Sequence, residues 1–345
     1  MDTHRLALLG FGNVGQAFAR LLMAKSDELL TQLDLNWQVV GIMTGHHGVA
    51  INPTGINLES ALAMIAAGDS LDPLSAEPAP QNGADFIRAC NADVLFENTP
   101  VSYHDGQPAI EHISTALSAG MHAITANKGP VVHAYRELTK LAQAHKRKFF
   151  FESAVMDGAP VFSLWRETLP AAELQSFRGV LNSTTNLILT LMEQGKTFED
   201  AVAYTQSIGI AETDPSGDIE GWDAAIKVAA LVTVLMGTNL QPSDVERKGV
   251  ESLRSKDIQS ASADGKRWKL ICEAERTDTG IATSVRPELL DSGDPLYNVM
   301  GTSSAVTFHS DALGPLTITE SDPGPHTTAY GLLADFINSV RQTRD

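Results

Sequence analysis

The chain has 345 residues, 43% of them hydrophobic, with 42 acidic against 25 basic side chains and a formal net charge of −17. That length supports two domains with sizeable cores, and no apolar run reaches the ~18 to 20 residues that span a bilayer. The charge disfavours nucleic acid or an anionic membrane as partner, since both need basic patches. Two cysteines without metal-ligand spacing, Cys90 and Cys272, predict buried reduced thiols.

The chain enters a strand pattern at once, over residues 5–9, which leaves no room for a secretory signal, so a cytoplasmic protein is expected. Gly10, Phe11, Gly12, Asn13, Val14 and Gly15 follow, and then an amphipathic helix over 16–25. This is G-x-G-x-x-G in the strand-to-helix context that makes it a dinucleotide-binding turn. Gly10 permits the tight turn, Gly12 lets the backbone approach a pyrophosphate, and Gly15 permits close packing. The second strand, 37–43, ends in Thr44 rather than in an acid. A carboxylate there would bond the ribose 2′-OH of NAD, so its lack leans towards NADP, with NAD possible.

Residues 68–83 carry three prolines and read as a surface excursion. A third strand, 93–98, ends in Glu97 and Asn98 with Thr99 and Pro100 beyond, at the sheet's carboxyl edge where open parallel sheets bind ligands. A helix over 110–119 leads to a strand over 122–125, followed by Asn127 and Lys128 at the same edge. One more strand is expected over 147–152, then an irregular turn over 152–160 whose backbone carbonyls suit a small cation. After Pro160 the alternation of strand and helix gives way to a different organisation.

A strand over 177–181 precedes a polar cluster, 182–186, an apolar helix over 187–194 and a helix over 199–207. Glu212, Asp214, Asp218, Glu220 and Asp223 then crowd a stretch in which Pro215, Gly217 and Gly221 forbid a continuous helix, so these acids are expected on a loop. The helix that follows is apolar nearly all round, as buried helices are, yet it carries Asp223 and Lys227 at the i,i+4 spacing of an ion pair. Charged residues on a buried helix need a chemical reason. A polar stretch, 241–266, strand-like runs at 268–274, 280–285, 304–308 and 316–319, and an amphipathic helix over 328–340 suited to docking on the first domain complete the chain.

On these residues the chain resembles the homoserine dehydrogenase family. The resemblance is carried by the glycine-rich turn, by residues 126–128, by the Asn-Ser-Thr-Thr-Asn run at 182–186, by 212–227, and by 285–288 with 295–301. It implies an α/β fold, with an N-terminal Rossmann-type doubly wound parallel sheet and a second α+β domain for substrate and dimerisation. The expected division is 1–130 plus 308–345 against 131–307. It also implies NAD(P)-dependent interconversion of L-homoserine and L-aspartate 4-semialdehyde, on the route to threonine, methionine and isoleucine.

By the same resemblance Lys227 and Lys128 are the catalytic lysines, and Glu212, Asp218, Asp223, Ser183 and Thr184 meet the substrate. The cofactor meets Gly10 to Gly15, Thr44, Thr99, Pro100, Asn127, Lys128 and Gly324. Glu152, Val155, Asp157 and Ala159 match a loop that holds Na+ or K+ through backbone carbonyls. A homodimer or dimer of dimers is expected, and feedback control through a further domain is not. Three departures leave alternatives open: Ser183 replaces a glycine, Ile210 stands where some members have tyrosine, and residues 320–324 keep only Gly324 of a glycine-rich loop. The alternatives are a dehydrogenase of a different amino-acid aldehyde and a catalytically silent NAD(P)-binding protein.

Overall fold

Residues 3–341 are described in the computed structural model, and their strands fall into two sheets, one in each of two units. The first unit is the chain up to Pro160 together with its return from Gly324; the second is Val161–Pro323.

The first unit contains β1 (Thr3–Leu9), α1 (Asn13–Ala24), α2 (Ser26–Leu33), β2 (Asn36–Met43), β3 (Val49–Ile51), α3 (Leu58–Ala67), α4 (Gly83–Cys90), β4 (Val94–Glu97), α5 (Ala109–Ser118), β5 (His122–Thr125), α6 (Lys128–His133), α7 (Tyr135–Ala144) and β6 (Phe149–Phe150). The strands lie in the order β3-β2-β1-β4-β5-β6, parallel except for the β2–β3 hairpin. The order reverses between β1 and β4, which makes their carboxyl ends the binding crevice of such a sheet. The strands are buried on both faces, with Leu6 and Leu8 of β1 in one apolar cluster and Ala7 and Leu9 in the other, the period of two expected of a strand.

The second unit contains β7 (Leu174–Val180), α8 (Ser183–Glu193), α9 (Phe198–Ser207), α10 (Ser216–Ile219), α11 (Trp222–Leu235), β8 (Glu246–Arg247), α12 (Ser255–Ala263), β9 (Arg267–Thr277), β10 (Gly280–Leu290), β11 (Ser304–Ser310) and β12 (Leu316–Glu320). Its sheet runs β12-β11-β7-β9-β10-β8 and is antiparallel apart from the β8–β10 pair. The chain then returns as α13 (Pro325–Arg341), which packs on α1 and sets Phe336 against Phe96 with ring centroids 6.0 Å apart. The amphipathic closing helix therefore docks on the first unit as its pattern predicts.

Four sequence expectations change. The unit boundaries fall at Pro160 and Pro323 rather than at 130 and 308, because β6 pairs with β5 in the first sheet and β12 pairs with β11 in the second. Helix α8 starts at Ser183, inside the expected polar cluster, because the Asn182 side chain accepts from Thr185 N at 2.8 Å and supplies an N-cap. The acidic stretch is not all loop. Asp218 lies on the single turn of α10, which starts after Pro215, where a missing N–H costs little. The excursion at 68–83 folds back on the sheet: Leu71 is fully buried and its N–H bonds His47 O at 2.8 Å.

Candidate active-site residues

In the first unit the registers place Leu9 opposite Glu97 and Glu97 opposite Thr125, so Gly10, Asn98 and Ala126 leave the sheet side by side. Gly10 has φ +93°, and a Cβ on it would lie 2.3 Å from Asn98 O; one on Gly15 would lie 2.5 Å from Gly10 O. Only glycine fits either position. Nothing lies within 4 Å of a Cβ on Gly12, and helix α1 begins there without a side-chain cap. Its first N–H groups therefore face open space at the positive end of the helix dipole, which suits a pyrophosphate. Of the remaining turn residues, Phe11 is buried in the core and Asn13 is exposed as the first residue of α1.

Two loops beside this turn are held by one buried carboxylate. Glu97 is fully buried and accepts from Thr99 Oγ1, from Thr99 N at 3.2 Å and from Thr125 Oγ1 at 3.1 Å, with His112 Nδ1 at 3.5 Å. Thr125 Oγ1 in turn accepts from Asn127 N at 2.9 Å. The Asn127 carboxamide is fully engaged: Oδ1 caps α6 at Gly129 N, 3.0 Å, while Nδ2 donates to Thr99 O at 3.2 Å and reaches Pro100 O at 3.5 Å. Together with Val14 of α1, the two loops enclose a cleft of about 180 Å³ lined by Asn98, Thr99, Val101, Ala126, Asn127 and Lys128. Both polar atoms of the Asn98 side chain are buried and without a partner among the described residues. A crevice that offers open helix N–H groups and an unpaired carboxamide fits a dinucleotide.

Other expected residues lie apart from this cleft. Thr44 Oγ1 is spent inside the β2–β3 hairpin, donating to Gly48 O at 3.0 Å and accepting from His47 N at 2.7 Å. The refolded excursion brings Asp72 to the same hairpin, where Oδ1 accepts from Val49 N at 3.1 Å. Gly324 precedes α13, its carbonyl accepting from Thr328 N at 3.0 Å. In the expected cation loop Glu152, Val155 and Ala159 are buried, Asp157 has φ +38°, and Glu152 N donates to Asp335 Oδ2 at 2.7 Å. No group of three or more His, Cys, Asp or Glu suited to a metal occurs among the described residues, and none of their helices is long and apolar enough to cross a membrane.

In the second unit Asn182 draws the acids and the lysine together. Its Nδ2 donates to Asp218 Oδ1 at 2.6 Å and to Asp223 Oδ2 at 2.9 Å. Lys227 Nζ, one helical turn beyond Asp223, lies 3.0 Å from Asp223 Oδ2 and donates to Leu181 O at 2.6 Å. Asp223 and Leu181 thus orient two of the three N–H bonds of Lys227, and the third has no partner among the described residues. Burial raises the pKa of Asp218 first, and the neighbouring Asp223 carboxylate adds to it; hydrogen bonds from Asn182 and Thr184 act the other way. The buried Thr184 thus belongs to the cluster, and the half-buried Ser183 adjoins it on the first turn of α8. Glu212 is exposed, its carbonyl held by Gln206 Nε2 at 3.1 Å, and its carboxylate is outside this cluster.

Sequence reasoning did not single out Asn182 or Asn98 as site residues, nor Asp72. An asparagine before a helical run signals a cap, which accounts for Asn182 Oδ1 but not for what its Nδ2 meets.

Comparison with known proteins accords with this geometry. The family described as homoserine dehydrogenase matches residues 160–337, and the homoserine dehydrogenase NAD binding domain matches 10–152. An NAD(+)-dependent homoserine dehydrogenase of Pseudomonas canavaninivorans is 36% identical over 98% of this chain and 96% of its own. The homoserine dehydrogenase of Methanocaldococcus jannaschii is 34% identical over 98% and 99%. Among solved structures, a putative homoserine dehydrogenase of Archaeoglobus fulgidus superposes with TM-score 0.85 at 29% identity, covering 97% of this chain and 98% of that one. A hyperthermophilic archaeal homoserine dehydrogenase in complex with NADPH does so with TM-score 0.84 at 27% identity, covering 99% and 98%.

Proposed function

We propose, from the premise that this chain belongs to the homoserine dehydrogenase family, that Lys227 is the proton donor and acceptor of its reaction. Members of the family are oxidoreductases that interconvert L-homoserine and L-aspartate 4-semialdehyde with a nicotinamide cofactor, and that is the activity of this chain. The observation that carries the assignment is the pairing of buried Asp223 with half-buried Lys227, the latter clamped to Leu181 O with one N–H left over.

A nicotinamide cofactor, which the glycine turn and the cleft of the first unit would hold, would supply hydride for reduction of the aldehyde carbon. Lys227 donates its remaining N–H to the aldehyde oxygen and passes that proton to the alkoxide as it forms; in reverse it takes the hydroxyl proton. A donor already fixed in a site shielded from water stabilises developing charge without reorganisation. Asp218 and Asp223 present carboxylates to the substrate ammonium, and Asn182 keeps the two like charges in place by bonding both. Glu212, Ser183 and Thr184 are assigned to the outer part of the substrate site, and Lys128, at the cleft of the first unit, to the side of the nicotinamide.

For the cofactor, Gly10 to Gly15, Thr99, Pro100 and Asn127 form its nicotinamide and pyrophosphate surroundings, with Thr44 and Gly324 at their margins. Both NADP and NAD are accepted: β2 ends without a carboxylate, which admits a 2′-phosphate, while Asp72 brings one to the following hairpin, which favours a free ribose hydroxyl. The carbonyls of Glu152, Val155, Asp157 and Ala159, in the irregular turn after β6, are proposed to bind Na+ or K+. The chain is proposed to act in the cytoplasm, in threonine, methionine and isoleucine biosynthesis, as a homodimer or dimer of dimers built through the second unit.

The test is oxidation of NADPH and of NADH with L-aspartate 4-semialdehyde, by wild type and by Lys227→Ala. Loss of nearly all turnover in the variant with cofactor binding retained is expected. Normal turnover in Lys227→Ala would remove this lysine from the mechanism.

A further inference from the structure

The cleft of the first unit carries two asparagines in opposite states. Asn127, the one expected to meet the cofactor, has its whole carboxamide committed: Oδ1 caps α6 and Nδ2 ties down the carbonyls of Thr99 and Pro100. Asn98 has the reverse. It is the first residue beyond β4, its backbone N–H donates to Leu9 O at 2.7 Å, and neither Oδ1 nor Nδ2 finds a partner among the described residues although both atoms are buried. An unpaired buried amide is costly and rare in native proteins, and it calls for a ligand or a water.

We propose that Asn98 is a cofactor-binding residue of this chain, its carboxamide supplying one donor and one acceptor to the nicotinamide half of the dinucleotide. This rests on the dinucleotide reading given above. Asn98 follows β4, on the far side of the β1–β4 switch point from β2, and β2 serves the adenosine ribose. The half that falls on the β4 side is therefore the nicotinamide riboside, which offers ribose hydroxyls and a carboxamide, groups that both donate and accept. The neighbouring loops are immobilised by Glu97 through Thr99 and Thr125, so the wall on which Asn98 stands is rigid before the ligand arrives. Asn127 then serves as a positioning residue that fixes those loops.

The two roles give opposite signatures on truncation. Asn98→Ala removes an unsatisfied group, so the melting temperature of the ligand-free protein stays level or rises, while affinity for NADH and NADPH falls about tenfold, the worth of a lost hydrogen-bonding group in a closed site. Affinity for ADP and its 2′-phosphate, which lack the whole nicotinamide riboside, is unchanged. Asn127→Ala lowers the ligand-free melting temperature instead, because a helix cap and two loop ties are lost.

The experiment is calorimetric titration of wild type and Asn98→Ala with each reduced dinucleotide and with ADP and its 2′-phosphate, alongside thermal melts. Unchanged dinucleotide affinity overturns the proposal, as does a melting temperature that drops with affinity intact, which would mark an internal water bridge. Equal weakening of ADP and dinucleotide also overturns it, by moving Asn98 to the other half of the ligand. Wild type that binds no nucleotide would refute the dinucleotide reading itself and is told apart by that control. If Asn98→Ala does not fold, Asn98→Ser, which withdraws the carboxamide from the ligand without burying a charge, is held to the same outcomes.

Discussion

Asn182 is the residue whose removal best tests how the second unit is built. Its Oδ1 caps α8 and its Nδ2 bridges Asp218 and Asp223. Loss of a cap costs about 1 kcal/mol. Each bond to a carboxylate is worth roughly 1.5–3 kcal/mol, discounted where water can enter to replace it. Asn182→Ala is therefore expected to lose about 3 kcal/mol, read as a lower urea midpoint at constant m. Asn182→Asp separates the two functions, because aspartate caps a helix as well as asparagine does but faces the two acids with a third negative charge. In both variants the bond that holds the Asp218 pKa down is lost, so its carboxyl moves further up and KM for the amino-acid substrate climbs, most steeply below neutral pH. Wild-type urea midpoint and KM in Asn182→Asp would refute the view that Nδ2 holds the acids in place.

Lys269, fully buried on β9, has its pKa brought down to about 8 by burial, against 10.5 for a free lysine. Between pH 8 and 10.5 the unfolded chain holds a proton that the folded chain has released, so stability rises with pH across that window by roughly 3 kcal/mol, and Lys269→Met flattens the rise in urea melts. His122 is brought down to about 4, first by burial and then by Arg147 and Lys148, and its Nδ1 accepts from Lys148 N at 3.1 Å. That contribution is complete above pH 6.5 and is lost as pH falls to 4; it amounts to roughly 3 kcal/mol, and His122→Asn, which keeps an acceptor but cannot charge, removes the dependence. Asp72→Asn takes a charge from the β2–β3 hairpin and is expected to raise the NADPH to NADH ratio of kcat/KM several-fold, an unchanged ratio placing the adenosine ribose elsewhere.

Much of this protein is decided locally and was legible in the sequence. The glycine turn, the main strands of both units, the Asp223–Lys227 pair and the returning helix each follow from spacings of two, three or four residues, or from the backbone freedom of single glycines. Family membership was legible for the same reason, since its motifs are contiguous. What the tertiary structure alone decided involves residues far apart in the chain. The strand pairings carried the unit boundaries beyond those expected, and the excursion folded back to deliver Asp72 to the hairpin after β2. Asn182 met two acids more than thirty positions on, at separations of 36 and 41 residues. Of the two asparagines at the edge of the first sheet, alike in type and in place, one was spent on the backbone and the other left unpaired. Sequence specifies which groups are present and the local geometry that offers them; which of their hydrogen bonds are already used depends on partners that only the folded chain brings within 3 Å.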